Sequence, residues 1–89
     1  MRSAKKYVGM DVHSSSIVIA VRDGTGKLVA ETILRTEAAA IRDYVRGLSG
    51  QVHVTFEEGT QADWLYDLLT PLVHRVLVCN PRENRTRLT

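Results

Sequence analysis

Ser16 to Val21 read Ser-Ile-Val-Ile-Ala-Val, a nearly unbroken β-branched run that fits a strand better than any other regular element. Branched β-carbons stiffen χ1 and pack well on a pleated surface. Continuous hydrophobicity of this kind predicts a strand covered on both faces. A shorter apolar run, Tyr7 to Asp11, precedes it and ends in a carboxylate. After it, Arg22-Asp23-Gly24-Thr25-Gly26-Lys27 supplies Asp-Gly turn chemistry, because glycine accepts positive φ at no steric cost. Lys27 to Arg35 alternates loosely and reads as the return strand, so the first third of the chain is an antiparallel meander.

At Thr36 the apolar period lengthens. Ile41, Tyr44, Val45 and Leu48 fall at helical spacing, with Thr36 as the expected N-cap and Gly47 and Ser49-Gly50 as the stop. Val52 to Phe56 alternates as a fourth strand. Thr60 is placed to cap a second helix, apolar at Ala62, Leu65, Tyr66, Leu68 and Leu69 and ending near Pro71. Val73 to Cys79 reads as a fifth strand. Three meander strands followed by two right-handed crossovers leave few topologies open. The expected fold is α/β: a mixed five-stranded sheet in the order 3-2-1-4-5 with two helices, the order of the ribonuclease H-like (RuvC-like) fold.

With 89 residues the chain makes one small domain with one thin core. Twelve lysines and arginines against ten acids, a net charge of +2, permit a phosphate-bearing partner without demanding one. The single cysteine excludes a disulfide framework and suits a reducing cytoplasm. No apolar run reaches the roughly 20 residues of a membrane span, so no membrane association is expected.

Two acids occupy informative positions. Asp11 closes the first strand and Glu57 follows the fourth. In the expected topology those strands are adjacent and parallel, so both carboxylates emerge at one sheet edge, where open α/β sheets bind ligands. Unscreened, two such groups repel, and a hard divalent cation relieves that repulsion. Against this stands the plain reading of Asp11 as a turn cap and Glu57 as a solvated loop residue. Glu58 competes with Glu57 for the second position, and His13 either shapes the turn or touches a metal or phosphate. His53 and His74 lie on separate strands with no cysteine or acid at zinc-ligand spacing. Cys79 reads as a small buried hydrophobe, and Trp64 and Tyr66 as core or rim residues more readily than base-stacking ones.

Tyr7-Val8-Gly9-Met10-Asp11-Val12-His13, continued by Ser16 to Val21, resembles the opening of DEDD-type insertion-sequence transposases, the Piv-like, RuvC-like recombinases guided by a bridge RNA. Phe56-Glu57-Glu58-Gly59-Thr60 with Asp63 to Leu69 is similar to that family's second segment, and Val76 to Arg82 to its third. The resemblance runs from Tyr7 to about Asn84. It implies that Asp11 and Glu57 are the first two acids of the catalytic tetrad, with Glu58 as the alternative second acid. It also implies Mg2+ or Mn2+ as cofactor, DNA as substrate, a guide RNA and a homodimer as possible partners, and a cytoplasmic setting. The family's last two acids and its serine-bearing domain have no counterpart in these 89 residues. The expectation is therefore an amino-terminal portion, binding metal weakly or not at all and not cutting DNA unaided. Ser14 stands where the family often has Lys, and Asn80 where it often has Asp. The expected division is a basic arm over 1–6, a partial RuvC-like domain over 7–79 and a basic tail over 80–89, with Arg82, Arg85 and His13 as nucleic-acid contacts. Two other classes compete. One is a non-catalytic assembly or nucleic-acid-binding module. The other is a sugar-kinase or actin-like phosphate-binding lobe, disfavoured because Val12-His13-Ser14 offers no glycine for close approach to phosphate.

Overall fold

A computed structural model describes residues 4–80 and, for the backbone alone, 85–88. The elements are β1 (Lys5–Val12), β2 (Ser16–Asp23), β3 (Leu28–Arg35), α1 (Ala38–Arg46), β4 (Gln51–Glu57), α2 (Ala62–Leu69), β5 (Arg75–Asn80) and β6 (Arg85–Leu88). The strands form one mixed sheet in the order β3-β2-β1-β4-β5-β6. The expected five-strand order and both helices are present. The sixth strand, antiparallel to β5, lies where the sequence reading has only a tail. Its Arg-Thr-Arg-Leu sequence carries no apolar alternation, so its pairing comes from the free edge of β5 rather than from side-chain pattern. At the other end of the chain β1 already begins at Lys5, so Lys5 and Lys6 belong to the sheet and not to an arm.

β3 runs parallel to β1 and β4, because two antiparallel steps restore direction. Both crossovers, β3 to β4 and β4 to β5, therefore move the same way across the sheet. Right-handed connections progressing in one direction place their helices on the same face. α1 and α2 lie side by side there, α1 over β3 and α2 over β5. The core forms beneath them from Val8, Met10, Ile17, Ile19, Val21, Val54, Phe56 and Val78 of the strands with Ile41, Val45, Leu65 and Leu69 of the helices. Each such side chain contributes roughly 1.5–3 kcal/mol by leaving water.

The opposite face carries no helix among the described residues. This corrects the expectation for β2: Ile17, Ile19 and Val21 are buried, but Val18 and Ala20 on the other side are only half-buried. The bare face also holds Tyr7, Gly9 and Asp11 of β1, and His53, Thr55 and Glu57 of β4.

The two expected helix caps differ as well. Glu37, not Thr36, is the N-cap of α1, and it makes no side-chain cap. The Thr36 hydroxyl instead donates to the His13 carbonyl at 2.7 Å, a tertiary bond that outcompetes the local one. Gln61 rather than Thr60 precedes α2, again without a side-chain cap. In the β2–β3 turn, Asp23 Oδ1 accepts bonds from the Thr25 amide and hydroxyl and the Lys27 amide. The positive φ falls at Gly26 rather than Gly24.

Candidate functional site at the carboxyl edge of the central strands

β1 and β4 pair in parallel, with Met10 beside Phe56 as the last pair in register. Both of those side chains are buried in the core, so the next residues, Asp11 and Glu57, face the other way and are exposed. Neighbouring strands are about 4.8 Å apart, so the backbones of Asp11 and Glu57 sit one strand spacing from each other at the carboxyl ends of the central pair. β5 continues the edge, with Cys79 beside Glu57.

Four hydrogen bonds set this edge, three of them between backbone groups. The His13 amide donates to the Ser16 carbonyl at 2.9 Å, closing the β1–β2 turn. Thr36 ties that turn to the end of β3 through its hydroxyl and through its amide, which donates to the Ser15 carbonyl at 3.2 Å. The Glu58 amide donates to the Cys79 carbonyl at 2.8 Å, carrying the β4–β5 pairing one residue past the strand. So held, the His13 imidazole comes back towards β1, with Nε2 3.2 Å from Asp11 Oδ2.

Asp11, His13, Glu57 and Glu58 line one cleft of about 170 Å3, floored by Met10, Phe56 and Leu65 and closed by the start of α2. A water occupies about 30 Å3 of liquid, so the cleft admits a few waters or a hydrated ion and is too small for a nucleotide. Glu57 also borders the shallow depression of the bare face beside Asp11 and Cys79, whereas Glu58 is half-buried and borders the cleft. Cys79 is half-buried, and its Sγ lies 3.3 Å from Thr55 Oγ1. Among the described residues, no three His, Cys, Asp or Glu side chains converge on one metal position.

Arg82 lies outside the described residues. Arg85 opens β6 with its backbone beside Asn80, at the same carboxyl edge of the sheet. Trp64 and Tyr66 are half-buried against the core, and Trp64 Nε1 donates to Gln61 Oε1.

The bare face brings together residues that no motif links. Tyr7 pairs with Arg22 on one side and His53 on the other, and His53 pairs with Arg75. The Tyr7 and His53 ring centres are 5.3 Å apart, and those of His53 and His74 are 5.1 Å apart. Partial burial holds the His53 imidazole below the ordinary histidine range, and the neighbouring His74, Lys5 and Arg75 push it the same way. The signal for this row was period two: Tyr7 and His53 both alternate with core valines, but only register shows that they meet.

No known protein-family description matches the sequence, and no curated protein matches it. No helix of the described residues is long and apolar enough to cross a membrane.

Proposed function

We propose that this chain is part of a ribonuclease H-like domain of the DEDD transposase type, contributing Asp11 and Glu57 to a divalent-cation site that acts on DNA phosphodiesters. The observation supporting this reading is the adjacency of two exposed carboxylates at the carboxyl ends of β1 and β4, beside a cleft of hydrated-ion size. The residue types from Tyr7 to about Asn84, and the strand order up to Asn80, support the resemblance.

The donors suit Mg2+ or Mn2+. Carboxylate oxygens are hard ligands, and Mg2+ keeps several waters while taking one or two carboxylates from a protein. Asp11 and Glu57, with Glu58 as the alternative to Glu57, would hold such an ion, which when bound would supply charge stabilisation at a phosphoryl oxygen and acidify an attacking hydroxyl or water. His13 orients Asp11 and reaches a phosphate at the cleft mouth, and Arg82 and Arg85 are proposed to neutralise the DNA backbone. Two carboxylates hold the cation weakly, and the chain by itself is not expected to cleave DNA. A guide RNA, a homodimer and a cytoplasmic setting belong to the same proposal.

An amide NMR titration with Mg2+, followed by trace Mn2+, tests it. The expected result is paramagnetic broadening centred on Asp11 and Glu57 in the native chain and lost in Asp11→Ala. Broadening that is absent, or unchanged by the substitution, overturns the assignment.

A further inference from the structure

Arg22, Tyr7, His53 and Arg75 stand in one unbroken cross-strand row over β2, β1, β4 and β5. Three strand spacings make it about 14 Å long. Lys5 precedes Tyr7 by two residues on the same face, and all five line one depression of about 600 Å3, floored by Gly9, Ala20 and Leu77. That size falls within the range of ligand sites, unlike the cleft at the carboxyl edge. Lys5, Arg22, Arg75 and Tyr7 are exposed, Tyr7 at 42%. Among the described residues neither Lys5 nor Arg75 forms an ion pair, and Arg22 donates only to the Gly26 carbonyl at 3.1 Å. The carboxylates of this face stand in other rows: Glu31 beside Ala20, Asp11 beside Val18, and Glu57 beside Cys79.

The composition of the row selects its occupant. Cations at both ends with two adjacent rings, tilted 31° to each other, between them match a ligand that alternates anionic and flat aromatic groups. A second copy of this chain fits badly, because its own arginines would face these. An acidic peptide satisfies the cations but leaves the rings unused. We propose that this face binds single-stranded nucleic acid, its phosphates on Lys5, Arg22 and Arg75 and its bases stacked on Tyr7 and His53. Sheet faces carrying exposed rings among basic side chains bind single strands in this way, because every base offers a π-face whatever its sequence. The row lies about 13 Å along β1 from Asp11, so this site is separate from the carboxylate cleft and does not depend on the reading given for it.

Fluorescence anisotropy with a labelled mixed-sequence 12-mer, in EDTA and at low salt, tests the proposal. DNA and RNA versions report which sugar is preferred, and either one binding supports the assignment. The expected results are weaker binding of the blunt duplex of the same sequence, and about a tenfold loss on Tyr7→Leu. Arg75→Gln is expected to lower the slope of log affinity against log salt by about one. Amide shifts on binding should centre on Lys5, Tyr7, Arg22, His53 and Arg75, with both variants keeping the native spectrum elsewhere. Absence of binding, shifts centred instead on Asp11 and Glu57, or equal affinity for poly-glutamate each overturn it.

Discussion

Nε2 of His13 lies 3.2 Å from Oδ2 of Asp11, with both side chains more than half exposed. The pair joins two residues on either side of the strand end, because the turn that begins at His13 folds the imidazole back over the edge. The contact ties up the carboxylate oxygen that a cation would need. His13 is therefore a competitor for Asp11 as well as its positioner, and Thr36, anchored on the His13 carbonyl, holds it there.

Removing this competitor should strengthen cation binding. In His13→Ala, Mn2+-induced broadening at Asp11 and Glu57 should appear at about two- to fivefold lower metal concentration, the range for an exposed pair worth up to about 1 kcal/mol. Weaker broadening would instead make His13 a ligand.

Stability should fall as the solution is acidified through the histidine range. His53 is held below the ordinary value of 6.5, first by burial and then by His74, Lys5 and Arg75. The unfolded chain then binds the proton more readily than the folded one, so stability rises with pH. Its contribution is complete above about 6.5 and is lost as pH falls from there towards the folded value. Urea midpoints measured from pH 7.5 to 5 should decline in the native chain and decline less in His53→Gln.

Gly50 should not tolerate a side chain. Its φ is +87°, and a β-carbon there would collide with the Ala4 carbonyl, the same carbonyl that accepts the Gln51 amide at 2.8 Å. Gly50→Ala is expected to cost about 1–3 kcal/mol, from left-handed strain together with the lost approach of the chain start to β4. Gly24→Ala, where nothing lies within 4 Å and φ is not positive, should change the melting temperature little.

Self-association at high concentration is expected to run through β3. That strand forms one end of the sheet and exposes Leu28, Val29 and Ile33, the last at 68%. An edge with open backbone groups and bare apolar side chains is a template for pairing. Sedimentation should show a dimer at high concentration in the native chain and a shift to monomer in Ile33→Lys, where a charge on the edge opposes pairing. A strict monomer at high concentration counts against association altogether.

The meander, both crossovers and the order of β1 to β5 are legible in the residues, because period two, period 3.6 and turn-forming glycine chemistry are local properties. The placement of Asp11 and Glu57 at the carboxyl ends of neighbouring strands is legible for the same reason, although both lie inside β1 and β4 rather than after them. The helix caps were misleading. Thr36 has the side chain of an N-cap, yet its hydroxyl donates to His13, a residue 23 positions away that local pattern does not reach. β6 was invisible because its residues carry no alternation and its partner edge exists only once β5 is in place.

What the sequence determined by itself is that β1 to β5 and the two helices form and in what order, since backbone sterics and the period of apolar side chains act over a few neighbours. What only the tertiary structure decided is which side chains meet. Tyr7, Arg22, His53 and Arg75 come from four strands, and parallel and antiparallel register alone brings them into one row. The bare face that presents them follows from handedness, because two crossovers of one hand moving in one direction cover the same side of the sheet.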